Sequence, residues 1–483
     1  MRIVLFDCNA YGTGKRLRVS DVIGAGPRTV AGILEELGHE VRIFFPDWYN
    51  KKYAEKADIV MFSGMVSDLK IIKKLSRKFR NKLKICGGPI SSLYEEILSK
   101  TKIDIVVIGE AELTLRELFE ADLRPAEIPG LAYREGDKII FTGYRKFLDQ
   151  EQYHLIKPSV YRIKDYRYYW ARRVYVEVLR GCSNYVPFMG KCGCGFCEVP
   201  NIFGYPKFRE PEAILREVKG LLEQGVRRIV LSAPDFLDYY RGEQLTDPRE
   251  PQPNIQKIKE LLEGVARLCK KYSAYFRIEN IKPNLLNEEV AAVLAKYIKP
   301  CIVGIGAESG DNKALQLMNK PYTTKEIEQC LEIMQVHGLR GNLYFIYGLP
   351  FEKKETLEKT KKFILQLYRR YKNALERLVV SKFIPLPLSA FYIFKNFEYK
   401  LEEVAKKELI ETINRINREL KQRYIGKVLR VFPVTRVSRN YFLCYPVTEG
   451  PYVLVKMEKF RRTVKVKIKG ATTRELIGKT IIC

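Results

Sequence analysis

Six short apolar runs recur from residue 174 onward, separated by segments of helical period, and this alternation constrains the fold more than any other feature. They are VYVEVLR (174–180), RIVLSAP (228–234), AYFRIEN (274–280), CIVGIGAE (301–308), GNLYFIYG (341–348) and RLVVSKFIPLP (377–387). Helices are predicted between them at 211–224, 254–271, 287–297, 324–337 and 353–371. Runs this short and apolar read as buried parallel strands. Six strand–helix units with their helices on one side close into a (β/α)6 partial TIM barrel more readily than they form an open sheet. Such a barrel carries its chemistry on the loops at the carboxyl ends of its strands.

The alternation is also present, in shorter stride, over residues 1–140. RIVLFD, DIVMFSG, KLKICGGP and DIVVIGEAE are strand-like, and TVAGILEELGHEV places Val30, Ile33, Leu34 and Leu37 on one helical face before Gly38. This predicts a Rossmann-like, doubly wound α/β domain whose ligand crevice lies beyond the carboxyl ends of its strands. Residues 141–173 lack a clear period and read as an ordered connector, so the barrel is assigned to 174–398. Residues 399–424 read as a charged helical linker. Residues 425–483 change to short alternating strands, a small all-β module.

The chain's 85 Lys and Arg against 57 Asp and Glu give a net charge of +28, which attracts polyanions whatever the fold. A heavily charged surface of the thermophile kind is the competing account. The last 59 residues carry 13 Lys and Arg and 3 Asp and Glu, so +10 of the excess sits in the smallest module. In TVKVKIKG, alternation turns Val464, Val466 and Ile468 to one face and Lys465, Lys467 and Lys469 to the other, about 7 Å apart, where they can track phosphates. Arg461, Arg462, Tyr441 and Tyr445 extend that candidate surface; an edge strand guarded by lysines would look similar. Eleven cysteines, no signal-peptide core and no apolar run of roughly 18 residues lead to the expectation of a soluble, cytoplasmic protein with reduced thiols and no membrane partner.

Four of those cysteines, Cys182, Cys192, Cys194 and Cys197, fall within 16 positions directly after the first barrel strand. Such a cluster allows a zinc knuckle using all four, a redox pair, or an iron–sulfur site. The place favours a catalytic cluster, since this loop lies where barrel substrates bind.

At RGC and CGFC the chain resembles the radical S-adenosylmethionine (radical SAM) superfamily. The resemblance implies that Cys182, Cys194 and Cys197 hold a 4Fe-4S cluster whose fourth iron takes S-adenosylmethionine, with Phe196 counted in the cofactor-binding set. Eleven residues separate Cys182 from Cys194 where three are usual, so Cys192 remains a competing ligand. GIGAESGDNKALQLMNKPYT and GNLYFIYGLPFEKKETLEKT resemble later barrel stretches of that family. By that likeness Glu308 and Ser309 lie near the ribose or methionine part, Arg277 or Glu279 reaches the same ligand, and Gly341 lets adenine approach. The acidic-glycine motif usual after the second strand is missing, and Asp235 is the candidate to replace it. An electron donor such as ferredoxin or flavodoxin is implied.

Residues 1–140 resemble the cobalamin-binding domain found before many such barrels, through GPRTVAGILEELGHEV, CGGP and IGEAELTLREL. The Asp-x-His-x-x-Gly loop of other cobalamin domains is absent after the first strand, and the histidines are His39, His154 and His337. A Rossmann-like domain without cobalamin therefore stays open beside the cobalamin reading. In the rival methylthiotransferase family, three N-terminal cysteines bind a second cluster, whereas this chain has Cys8 and Cys86 there. Residues 425–483 resemble a TRAM domain, an RNA-binding barrel. Together these imply a radical SAM enzyme that modifies tRNA or rRNA, with C-methylation as the first reading. Sulfur insertion or methylthiolation of tRNA, methylation of a protein or small molecule, and a zinc-containing RNA-binding protein without activity are the alternatives.

Overall fold

The structure, a computed structural model, describes residues 1–9, 22–396 and 403–481; the boundary read at 398–399, most of the loop after the first strand and the last two residues lie outside these. The chain divides into two compact units, Met1–Val176 with Glu212–Val226, and Glu177–Pro211 with Arg227–Cys483.

The first unit is built on a seven-stranded sheet. Its parallel part runs, in spatial order, Glu40–Phe44, Arg2–Asp7, Ile59–Ser63, Leu83–Gly87 and Ile105–Val107, followed by the antiparallel strands Leu131–Glu135 and Lys138–Phe141. The order reverses beside Arg2–Asp7, which makes the carboxyl end of that strand the switch-point crevice. Val4, Phe6, Val60, Phe62, Cys86 and Val106 fill one core face. The predicted connector is packed rather than free: Asp165 accepts from Arg42 and the Ile43 amide, and Tyr166 donates to Asp7 at 2.9 Å. Burial pushes the Asp7 carboxyl up to about 6 against the Tyr166 bond.

The helix predicted at 211–224, assigned above to the barrel, lies for the most part in this first unit. Its Glu217 pairs with the buried Arg28 at 2.8 Å, and a Cβ on Gly220 would stand 3.1 Å from Val160. Both contacts join residues far apart in sequence, so helical period could not reveal which neighbour the helix serves.

The second unit holds parallel strands Arg228–Ser232 and Tyr275–Ile278, then Asn280–Ile281, Ile302–Glu308, Arg340–Tyr347 and Leu375–Lys382. Helices Ile255–Lys271, Glu288–Tyr297, Thr324–Val336 and Lys354–Tyr371 connect them. Helix Glu403–Lys421, expected to be a linker, instead packs on the last strand. Leu409, Ile413, Ile416 and Leu420 are buried, and the Asn417 amide both accepts from and donates to the Leu378 backbone. Its charged residues had hidden an apolar stripe at i, i+4, i+7, i+11.

The C-terminal module is a closed five-stranded barrel, Val428–Ser438, Tyr441–Pro446, Val453–Lys456, Leu476–Thr480 and Val464–Ala471 in spatial order. Val431, Phe442, Val453, Val455, Val466, Ile468 and Leu476 form its core. Glu449 of this module is buried between Arg228 and Arg277, 3.6 and 3.4 Å away, while Tyr424 bridges Arg340 and Glu376. Arg228 and Arg340 open their strands, so these contacts join the module to the amino ends of the parallel strands. Among the described residues no helix is long and apolar enough to cross a membrane.

Candidate active site

Strand Leu179–Arg180 pairs with Lys207–Phe208, and the cysteine-bearing loop projects between them. Gly181 starts it at φ +87°, and a Cβ there would meet the Tyr205 carbonyl at 2.1 Å, so only glycine fits. The residues inserted after Cys182 include a small hairpin, Pro187–Phe188 with Lys191–Cys192, before helix Val199–Phe203.

The CGFC segment is held from several sides. The Cys197 amide donates to the Cys194 carbonyl, the Gly195 amide to Met318, and the Phe391 amide to Gly195, at 2.9, 2.9 and 2.7 Å. The Phe391 ring lies so close that a Cβ on Gly195 would be 2.4 Å from it. Asn184 donates to the Cys194 sulfur at 3.3 Å and to the Asn319 carbonyl at 3.0 Å, and Asn319 donates back to Gly193. A donor aimed at sulfur suits a thiolate or metal-bound sulfur better than a neutral thiol.

Cys182, Cys194 and Cys197 are neighbours. Burial pushes the Cys182 thiol up to about 11; Lys282 opposes this, while Asp238 and Cys194 add to it. Cys197 is pushed higher still, by burial and then by Cys194 and Cys182. Sequestered thiols of this kind ionise when a metal replaces the proton, so the donor set fits an iron–sulfur cluster. Cys192 differs: its thiol is raised by burial alone, its backbone is tied to Asn201, and its nearby titrating group is Tyr185. The described cysteines are free thiols, and among the described residues no three His, Cys, Asp or Glu converge on a single metal-ion position.

The other expected residues divide. Glu308 ends strand Ile302–Glu308 in a left-handed conformation, φ +59°, at a register shift, a strained placement of the kind found at functional sites. Its carboxylate pairs at 3.2 Å with the buried Lys320, whose ammonium lies 5.5 Å from the Phe196 ring centre. Although burial opposes the charge, Tyr322, Cys194 and Glu308 hold that ammonium above its ordinary range. Glu308, Phe196 and Cys194 thus meet around Lys320. Glu279 accepts from Ser232 at 2.6 Å at the carboxyl ends of its strands.

Four residues are placed elsewhere. Arg277 points to Glu449 of the C-terminal barrel. Gly341 is the second residue of its strand, about 20 Å by chain length from the carboxyl end, and makes room for Leu343 and Ile305. The buried Ser309 hydroxyl bonds Thr360 and the Asp311 amide, a helix-docking role. Asp235 is buried against Lys282 at 3.0 Å. For Arg277, Ser309 and Asp235 sequence spacing identified the strand end or loop and side-chain direction decided the partner; Gly341 was placed at the wrong end of its strand. Lys320, Lys282, Asp238, Asn184 and Phe391 were not foreseen. Lys320 stands inside the MNKPYT stretch of the family likeness, whereas Phe391 had no local signal.

On the C-terminal barrel, Lys465, Lys467 and Lys469 are exposed and alternate with buried Val464, Val466 and Ile468, and Arg461 and Arg462 are exposed in the preceding loop. Register places Lys467 opposite Lys479, Lys479 opposite Lys456, and Lys456 opposite Tyr441, with Arg430 opposite Lys465. Tyr445 is instead buried beneath Arg228, so its ring offers no face for stacking on RNA.

A family profile described as the Radical SAM superfamily matches residues 176–364, and one described as a B12 binding domain matches residues 18–119. An uncharacterized protein of Methanocaldococcus jannaschii is 41% identical over 100% of both chains. A tRNA-2-methylthio-N(6)-dimethylallyladenosine synthase of Thermotoga petrophila is 24% identical over 88% of this chain and 89% of its own. The radical S-adenosylmethionine methyltransferase TsrM from Kitasatospora setae, solved with cobalamin and a 4Fe-4S cluster bound, superposes with a TM-score of 0.59 at 15% identity, covering 80% of this chain and 73% of that one. That likeness is one of fold.

Proposed function

The chain belongs to the radical SAM superfamily and carries a B12-binding domain ahead of its barrel, and from that premise we propose that it methylates carbon in an RNA, tRNA or rRNA. Cys182, Cys194 and Cys197 are the cluster ligands in this reading, and Cys192 is a structural thiol of the hairpin. When bound, the 4Fe-4S cluster and S-adenosylmethionine supply one-electron radical chemistry, and cobalamin a transferable methyl group. Lys320 offers a buried cation beside the cluster loop for a carboxylate, at which point Glu308 is freed to accept from a ribose or amino group. Glu279, fixed by Ser232, is a second acceptor at the same strand ends. A ferredoxin- or flavodoxin-type donor would deliver the electron.

One observation carries the RNA assignment: the run of exposed Lys456, Lys479 and Lys467 on adjacent strands, in direct register. Like charges directly opposite one another repel, and an anion lying across them relieves that repulsion. A phosphate backbone supplies that anion. The similarity to a tRNA-modifying relative supports the same substrate class.

The test is anaerobic reconstitution with iron and sulfide, followed by mass spectrometry of nucleosides from a strain lacking the gene. Loss of one C-methylated nucleoside is expected. Loss of a methylthiolated nucleoside would replace methylation by sulfur insertion, and unchanged RNA with continued cosubstrate cleavage would move the substrate to a protein or small molecule.

A further inference from the structure

Eleven residues separate Cys182 from Cys194, so chain connectivity alone does little to hold the first sulfur in register with the CGFC pair. The Cys194 half is fixed by Met318, Asn319, Asn184 and Phe391. A separate buried network holds the other half.

The residue after Cys182, Ser183, is fully buried. Its amide donates to Asp238 at 3.2 Å and its hydroxyl donates to the same carboxylate at 2.9 Å. Lys282 donates to the Ser183 hydroxyl at 2.6 Å and to Asp238 at 2.8 Å, and forms an ion pair with Asp235 at 3.0 Å. Asp238 is in turn paired with the buried Arg241 at 2.6 Å, and Asp235 also receives the Lys282 amide. Asp235 and Asp238 sit on the turn after strand Arg228–Ser232, and Lys282 follows Asn280–Ile281. Two successive strand ends therefore converge on one residue of the cysteine loop. Asp235, Asp238 and Arg241 are buried and Lys282 is nearly so, which is costly unless each charge faces an opposite one, and here each does. A network of this kind, with every charged group facing an opposite charge, favours one geometry.

We propose that Asp238 and Lys282 are positioning residues that clamp Ser183 and so hold Cys182 at the cluster site, alongside the Asn184 tether to Cys194. The proposal rests on Cys182 being a ligand. It gives the LSAPDFLD stretch a role in presenting a sulfur to the cluster, where contact with the cosubstrate had been expected.

The experiment uses Asp238→Ala and the milder Ser183→Ala in the full chain. In the metal-free protein, iodoacetamide labelling is followed cysteine by cysteine by peptide mass spectrometry, with Cys269 and Cys330 as buried references in helices remote in sequence. Losing both Ser183 bonds to a charged carboxylate should speed Cys182 labelling at least about tenfold in Asp238→Ala. Ser183→Ala should give a smaller rise of the same sign. Cys197, Cys269 and Cys330 should keep wild-type rates. After reconstitution both variants should hold less iron than wild type and show an altered electron paramagnetic resonance signal. Unchanged Cys182 labelling in both variants, or acceleration of all cysteines together, would overturn the clamp. Wild-type chain that takes up no iron and sulfide would overturn the ligand assignment and the clamp with it, whereas normal iron uptake with unchanged labelling would remove the clamp alone.

Discussion

Gly195→Ala is the substitution whose outcome the geometry determines most directly. The new Cβ would sit 2.4 Å from two atoms of the Phe391 ring and 2.8 Å from a third, whereas ordinary carbon contacts begin near 3.4 Å. The ring would have to retreat by about 1 Å, and it is enclosed: Phe188, Phe351, Phe383 and Phe394 stand edge-on at 5.9–6.1 Å between ring centres. The turn cannot move instead without stretching the Gly195 bonds to Met318 and Phe391. Overpacking of this kind costs about 1–3 kcal/mol. Tryptophan fluorescence would miss it, because Trp48 and Trp170 both lie in the first unit. Hydrogen exchange over the cysteine loop and 383–395, read with iron content after reconstitution, is the proper assay. Faster exchange in both segments and reduced iron are expected, with Phe391→Ala in the same chain reversing part of the iron loss through a favourable coupling of about 1 kcal/mol or more. Wild-type exchange and iron in Gly195→Ala, or no relief from the second substitution, would refute the account of how this turn is held.

Single replacement of Cys182, Cys194 or Cys197 by Ala should abolish or degrade the cluster absorbance, while Cys192→Ala should leave iron near four per chain. Replacing Lys456, Lys467 and Lys479 together by Gln should weaken RNA binding uniformly across sequences and lower the slope of log affinity against log salt by about one for each phosphate no longer neutralised, measured by filter binding at several salt concentrations. Burial pushes the Glu352 carboxyl up from near 4.5 to about 7, against the Gly348 amide that donates to it at 2.8 Å. A carboxyl raised on folding favours the protonated state, so its contribution is fully present below about pH 4.5 and is lost as pH rises through about 7. Glu352→Gln should therefore stabilise the chain by about 1–3 kcal/mol above pH 7 and leave it unchanged below pH 4.5, as read by urea denaturation followed by far-ultraviolet circular dichroism.

The sequence by itself determined what depends on local repetition. Period-two and period-3.6 apolar patterning announced the two α/β units and the terminal β module, because burial of one face is encoded within a few neighbouring residues. The same logic made the outward direction of Lys465, Lys467 and Lys469 legible. Spacing of thiols beside a strand end pointed to the loop where Cys182, Cys194 and Cys197 now stand together. Tertiary structure alone decided which distant groups share a site. Lys320 and Glu308 meet at Phe196, and Asp238 and Lys282 meet at Ser183, because the parallel register brings successive strand ends to one rim. That register also turned Arg277 and Tyr445 into an internal joint and left Gly341 at the opposite end of its strand. The physical reason is that strand register and side-chain direction are properties of the packed assembly, set by long-range pairing that no window of the chain contains.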